Sequence, residues 1–425
     1  MGGVAHAGWR FWAYKDSDRV CASTEFEVSC KKREGAAVRI TYIQQHFAMQ
    51  TEPGFVRAWE FCKRLAQDGH DVTVIRGGAA PTTVVDSGVV VRTVRAPYAN
   101  EMNFGRRIAA FLQFAAASTV SAVTSRPQIV VASSTPLTVV VPALIAAAIN
   151  RSKFLFEVRD LWPKVPVEMG LVTNPFAIWL AENLERVSYR AARRVIALSP
   201  DMAAGVKEVS PNADVVVVPN GCDLSEFDAA DPDRDKIWND CGVPDGAVHV
   251  VYAGGFGYMY DLPWCLEYAA ELHPYGIYFT FIGQGSETEN LIRIAKDRGI
   301  YREGMFPGRL PKSEVIDYLK TADVILSPLR DEPSLEACSL NKVFDAMAAK
   351  KPLLLNHGGW LSRAVLQSNA GWRIPRDITD AVALTRNIVS DAAALRAAGD
   401  ANRRLGEAEF DRDNQYLKFR EALFN

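Results

Sequence analysis

From Val38 onward short apolar runs alternate with amphipathic helical stretches, and this alternation limits the available folds more than any other feature. The runs are VRITYIQQHF (38), DVTVIRG (71), VVVRTVRAP (89), QIVVASS (128), KFLFEVRD (153), RVIALSP (194) and DVVVVPNG (214). Between them lie helical patterns such as VRAWEFCKRLAQDGH, closed by the stop signal at Gly69, and AIWLAENLERVSYRAAR. Near-continuous apolar runs belong to strands covered on both faces, hence to parallel sheets wrapped by helices. Repeated winding of this kind makes a Rossmann-like domain.

From Asp228 to Gly246 the text becomes polar, acidic and broken by Pro and Gly, which is linker composition. A second winding follows: VHVVYAGGF (248), GIYFTFIGQG (276), MFPGRL (305), DVILSPL (323) and PLLLN (352). The expected fold is α/β, with two Rossmann-like domains facing across a cleft between their strand carboxyl ends. The first domain is expected over 38–227, the linker over 228–246 and the second domain over 247–407. A helix within 408–425 carries Phe410, Tyr416, Phe419 and Leu423 on one face and is expected to pack back on the first domain. Residues 1–37 show no helical or strand period and lack a signal peptide's apolar core, so they read as a disordered extension or a mistaken start site.

A chain of 425 residues exceeds what one core organises, in keeping with two domains. Its net charge of -2 gives no electrostatic case for nucleic acid as a partner. The seven cysteines are scattered without a CxxC, which speaks against a disulfide framework or a zinc site and for a reducing cytoplasm. The six histidines lack metal-binding spacing, and the Asp231–Asp233 pair lies in the linker rather than at a strand end, so no metal is expected. Between Ile108 and Asn150 the only charge is Arg126. That segment is rich in Ala, Ser and Thr and is followed by Pro127, Pro136 and Pro142, so it reads as a buried or surface-lying helix rather than a span. Arg106 and Arg107 ahead of it suit an anionic lipid surface or an ordinary solvated first turn, and membrane contact is expected through 104–125.

Four stretches after strands carry chemistry, one in the first domain and three in the second. The apolar run FLFEVRDLWP ends in Arg159 and Asp160, which places charge at the mouth of the crevice or else forms a plain ion pair. In AGGFGYMYDLP, Gly254, Gly255 and Gly257 permit close backbone approach to a ligand. In FIGQGSE, Gly283 and Gly285 open a helix whose N-terminal amides could hold phosphate, though tight turns would explain either glycine set. The most specific stretch is SLEACSLNKVFDAMAAKKPLLLN, Ser334 to Asn356. A helix starting near Asn341 puts Asn341, Lys342 and Asp345 in its first turns. Free amides favour an anion there, Lys342 can neutralise it, and a carboxylate can bind the two hydroxyls of a ribose. The competing reading is a capped helix with Asn341 as cap and Asp345 as surface charge.

In order and spacing, FEVRDLWP, RVIALSP, VVVVPNGCD, VYAGGFG, FIGQG, ADVILSPL and NKVFDAMAAKKPLLLNHGGW resemble the family-4 glycosyltransferases of the GT-B fold. The likeness is greatest to the subgroup assembling bacterial O-antigen, capsule or colanic-type polysaccharide, which includes N-acetylfucosaminyl transferases. It implies transfer of a sugar, an N-acetylated amino or deoxy sugar, from a nucleotide diphosphate donor, usually UDP-linked, to a lipid-linked saccharide with retention. The enzyme would work in the cytoplasm, at the inner face of the membrane, with no cofactor beyond the nucleotide sugar. The resemblance places Asp345 at the donor ribose, Asn341 and Lys342 at the diphosphate, and Gly254, Gly255, Gly257, Gly283 and Gly285 on turns flanking the donor. It also places Gly54, in QTEPGFVRAWE, on a loop facing the phosphates, and Arg159, Asp160 and Glu336 at the reacting sugar. The sequence departs from the pattern at four places. Glu336 is one residue off the paired-acid spacing. Tyr258 stands where many relatives have a cation, leaving Arg330 or Lys342 to serve. Phe55 replaces a loop glycine, and Lys350 a helix-ending one. Those departures keep open a catalytically silent binding subunit, and a sugar-nucleotide epimerase is a further alternative.

Overall fold

Seven strands of the first sheet and four of the second form where the apolar runs stand, because helices returning over the sheets bury these runs, while the edge strands β3 (Thr82–Asp86) and β13 (Gly371–Arg373) stand outside them. The computed structural model describes residues 36–49, 52, 56–98, 102, 104–170 and 172–425. The expectation for 1–37 therefore lies almost wholly outside the described residues, as do Gly54 and Phe55.

The first sheet comprises β1 (Arg39–Ile43), β2 (Asp71–Gly78), β3 (Thr82–Asp86), β4 (Val89–Arg95), β5 (Ile129–Ser133), β6 (Lys153–Val158), β7 (Arg194–Ala197) and β8 (Val215–Val217). Its order is β3-β4-β2-β1-β5-β6-β7-β8, parallel except for β3, which pairs antiparallel with β4 at the edge. One face is covered by α2 (Phe104–Thr124), α3 (Val140–Asn150), α5 (Pro175–Ala191) and α6 (Pro200–Val209), whose Phe114, Val140, Tyr189 and Val206 meet Val130 and Phe156. The other is covered by α1 (Val56–Gln67) and, from the far end of the chain, α16 (Arg412–Phe424). Tyr416, Phe419 and Leu423 of α16 join Phe61 and Leu155 in that core. The short α4 (Lys164–Glu168) follows β6.

The second sheet has β9 (Val248–Ala253), β10 (Ile277–Ile282), β11 (Val324–Ser327), β12 (Leu353–Leu355) and β13 (Gly371–Arg373) in the order β10-β9-β11-β12-β13, all parallel. Around it lie α9 (Leu262–Leu272), α10 (Thr288–Asp297), α11 (Lys312–Thr321), α12 (Asn341–Ala348), α13 (Gly359–Gln367), α14 (Ile378–Val389) and α15 (Ala392–Glu409). The run MFPGRL, expected as a strand, makes only a single bridge between Ile282 and Gly308, because Pro307 and the positive φ of Gly308 break its pairing.

The polar stretch expected as a linker is folded. It holds the last two residues of α7 (Leu224–Ala229) and all of α8 (Arg234–Asp240), and α8 seats Ile237 and Trp238 on the second domain, with Trp238 Nε1 donating to Thr321 O at 3.1 Å. The chain crosses between domains earlier, at Pro219–Asp223, and returns beside it at Phe410–Arg412. The two crossings are laced by Cys222 N to Phe410 O (2.7 Å) and Arg412 N to Cys222 O (3.2 Å). A Cβ on Gly221 would lie 2.8 Å from Arg412 Cα, so this close crossing requires glycine. Among the described residues no helix is long and apolar enough to cross a membrane.

Candidate functional site

The C-terminal ends of β6 and β9 and the start of α12 face one another across the domains. Ser199 Oγ donates to Ala337 O (2.7 Å) and Asn220 Nδ2 to Ser339 O (2.8 Å), which ties the segment leading into α12 to the first domain. Asp160, at the exit of β6, lies near enough to Tyr260 and Cys338 for its charge to add to burial in pushing both groups up. Burial raises Asp160 itself to about 6 against the pull of Arg159. The charge of Arg159 also reaches His46, which burial and then Arg159 lower to about 4, keeping its imidazole neutral at physiological pH. His46 packs on Tyr98 with ring centroids 4.4 Å apart.

Asn341 begins α12 as expected but does not cap it: Leu340 holds the cap position, and no side chain bonds to the first amides. Lys342 and Asp345 point to different ends of the cleft. Lys342 is buried, with Nζ 3.7 Å from the Tyr260 ring centroid and 4.8 Å from that of Tyr252. Burial lowers its pKa to about 7. Asp345 faces the ion cluster of Lys312, Asp223, Arg412 and Glu226, which lies by the crossing. Burial raises it to about 6, and its carboxylate accepts no hydrogen bond among the described residues. Two empty acceptor oxygens are therefore present where the sequence placed a ribose partner.

The glycines separate into two groups. A Cβ on Gly283, whose φ is +147°, would overlap the Gly254 carbonyl oxygen, and one on Gly285 would overlap that of Phe256. The Gly285 amide donates to Thr288 Oγ1 (3.0 Å), the Glu287 amide to Phe256 O (3.1 Å) and the Gly283 amide to Gly308 O (2.9 Å). The Gly283, Gly285 and Glu287 amides are thus satisfied within the protein, so this part of the FIGQG turn buttresses the β9 loop. Gly255 and Gly257 differ. Neither amide has a partner among the described residues, and no side chain crowds Gly257. Tyr252 holds this loop through its hydroxyl, which donates to Gly255 O at 2.7 Å. A Cβ on Gly254 would stand 2.9 Å from that hydroxyl and 3.2 Å from Lys342 Cε.

Glu336 and Arg330 are engaged elsewhere. Glu336 Oε1 accepts the Gly358 amide at 3.1 Å, and its backbone lies where a Cβ on Gly359 would fall, so it braces the His357–Gly359 turn. Arg330 stacks on the exposed ring of Tyr258, 3.5 Å from its centroid, and donates from Nε to Tyr258 O at 2.8 Å. Lys342 is thus the cation beside the open glycine loop, reaching it from α12 rather than from the loop itself. Lys350, standing where the resemblance has a helix-ending glycine, adopts the left-handed conformation such a position takes, with φ of 59°.

Sequence reasoning missed a buried charge at the base of the site. Glu157, inside β6, is fully buried and accepts from Tyr42, from Ser133 Oγ (2.7 Å) and from Arg57 Nε (3.0 Å). Arg57, in the first turn of α1, also donates to Pro219 O at the domain crossing. The signal was present, since a carboxylate inside an otherwise apolar run must be paired. Tyr252 and Tyr260 had no comparable signal, because only the folded loop brings their rings to Lys342.

Two α/β domains with strand ends meeting at such a cleft define a GT-B-type protein. Residues 56–221 match the glycosyl transferase 4-like domain and residues 233–405 the glycosyl transferases group 1 family. Taken in tandem, the two matches make the chain similar to the group 1 glycosyltransferases through both of its domains. It is 28% identical over 204 residues to a glycogen synthase of Mycobacterium tuberculosis, covering 47% of this chain and 45% of that one. It is 28% identical over 130 residues to the putative colanic acid biosynthesis glycosyl transferase WcaI of Escherichia coli, covering 30% and 32%. The alignments thus span less than half the length of these relatives. In fold it is similar to Anabaena HepE in complex with UDP and glucose, at TM-score 0.68 and 16% identity over 91% of this chain and 99% of that one.

Proposed function

We propose that the protein transfers an N-acetylated amino or deoxy sugar from a UDP-linked donor to a lipid-linked saccharide, with retention, in the assembly of a bacterial surface polysaccharide. The observation that carries the donor half is the pairing along α12 of Lys342, beside the unpartnered Gly255 and Gly257 amides, with the unpartnered carboxylate of Asp345. Lys342 and the amides suit the diphosphate, on which charge grows as the glycosyl bond breaks, and Asp345 suits the ribose hydroxyls. Asp160 and Arg159 face the same space from the first domain and would orient the sugar and the incoming hydroxyl. Support for the base comes from the UDP in the HepE complex, and support for polysaccharide assembly from the colanic acid relative. The test is turnover of UDP-sugars with a lipid-linked saccharide, reading the anomer formed. Sugar release or epimerisation without acceptor would reject this reading.

Placement at a membrane surface is part of the proposal and is supported by one flank of the first domain. Leu112 and Val120 of α2 and Ile149 of α3 are 60%, 67% and 62% exposed, and Phe176 and Trp179 of α5 stand exposed with stacked rings. Between Glu101 and Glu157 the sequence has no acidic residue, while Arg106, Arg107, Arg126, Arg151 and Lys153 are basic. Exposed apolar side chains within a stretch of sequence whose only charges are basic suit anionic lipid. Vesicles rich in anionic phospholipid are expected to float the wild type, and the Leu112→Ser/Val120→Ser variant is expected to stay in the soluble fraction. Equal flotation of both would remove this surface from the reading.

A further inference from the structure

The ammonium of Lys342 lacks a counter-ion. The side chain is 5% exposed, and among the described residues no carboxylate forms an ion pair with it. Its neighbours come from every element around it. They are the rings of Tyr252 on β9 and Tyr260 in the following loop, the thiols of Cys265 on α9 and Cys338 ahead of α12, and His357 after β12. Burial pushes both thiols up, so they are neutral at physiological pH, and His357 is lowered to about 4 by burial and is neutral too. Asp345, one turn along α12, attracts the ammonium but is itself turned to the Lys312 cluster. Asp160 faces Cys338 and Tyr260, while the charge of Arg376 reaches Cys265 and His357 and that of Arg373 reaches His357. Two aromatic faces stabilise an ammonium by an amount well below the cost of desolvating it.

We propose that a nucleoside diphosphate entering the Gly255–Gly257 loop supplies the missing counter-ion and that a proton from solvent joins the Lys342 amine as it binds, so that donor binding and proton uptake are one event. The inference rests on the donor placement proposed above. The balance is simple: the amine lone pair takes one solvent proton, the resulting ammonium faces the phosphates, and no covalent bond to the nucleotide changes. The burial-lowered pKa of Lys342, about 7, means that most of the free protein at pH 8 carries the neutral amine. Donor affinity would then weaken by up to about tenfold per pH unit above 7.

The experiment is titration calorimetry of UDP at pH 8 in phosphate and in Tris buffer, whose ionisation enthalpies differ. The wild type is expected to take up close to one proton per UDP bound. Lys342→Arg, permanently charged, is expected to bind with little or no uptake, and Lys342→Met to bind much more weakly, also without uptake. Thermal melts of the variants establish that they fold; removal of a buried amine is expected to leave Lys342→Met at least as stable as the wild type. UDP binding by the wild type without proton uptake would overturn the inference, as would equal uptake in Lys342→Arg. Absence of UDP binding to the wild type would instead overturn the donor reading on which it rests.

Discussion

Replacing Arg57 with alanine is expected to destabilise the protein by about 3–5 kcal/mol, a large part of the stability of an ordinary domain. The guanidinium is buried against Glu157, Phe61 and Pro219 O, so its loss strands a carboxylate inside β6 and removes the link from α1 to the domain crossing. Burial works to raise the Glu157 pKa, but the charges of Arg57 and Arg159 and the hydrogen bonds from Tyr42 and Ser133 together hold it below its ordinary value. A carboxylate with a depressed folded pKa contributes stability above its unfolded pKa and loses it as the pH falls through the folded one. The wild type is therefore expected to lose this contribution only below about pH 4.5. In Arg57→Ala, Glu157 protonates at higher pH, so acid affects it differently. Chemical denaturation of Arg57→Ala, Glu157→Gln and the double variant at pH 7 checks this. A double variant markedly more stable than the sum of the single effects is expected, because removing both partners leaves no unpaired charge. Near-additivity would show that the pair does not act as one unit.

Asp345→Ala is expected to weaken UDP binding on the order of 100-fold, because two hydroxyl bonds to a carboxylate are lost, about 3 kcal/mol allowing for non-additivity. Its thermal stability is expected to hold or rise, since the carboxylate is desolvated and accepts no bond in the free protein. Asp345→Asn, which keeps one carbonyl acceptor, is expected to fall between. A loss of stability in step with the loss of binding would mark Asp345 as a structural partner of the Lys312 cluster rather than a ligand contact. The pH profile adds a second check. Binding needs the Asp345 carboxylate, raised to about 6, in its ionised form and Lys342, lowered to about 7, in its protonated form. Affinity for UDP is expected to peak between these values and fall on both sides, with Asp345→Ala losing the acid limb.

The residues show why some of this was legible in the sequence. Strand after strand announced itself because a parallel sheet buries both faces and needs near-continuous apolar runs, as in β5 and β12. The edge strands β3 and β13 were not read, since edge strands are short and half exposed and carry a weaker apolar signal. The polar residues of α8 looked like a linker because a helix that buries only Ile237 and Trp238 exposes the rest of its surface.

The sequence by itself determined the α/β winding, its doubling, the start of α12 at Asn341 and the left-handed Lys350, all of which depend on local pattern and backbone sterics. The tertiary structure alone decided which glycines are free and which are used. Gly283 spends its amide on the Gly308 loop and Gly285 on Thr288 at the start of α10, while among the described residues the amides of Gly255 and Gly257 have no partner. It also decided that Lys342 and Asp345, three residues apart on one helix, face opposite ends of the cleft, because their charges are set by the elements packed against them: two tyrosine rings for one, the Lys312 cluster for the other. Hydrogen-bond partners and desolvation come from residues distant in the chain, and no local pattern encodes them.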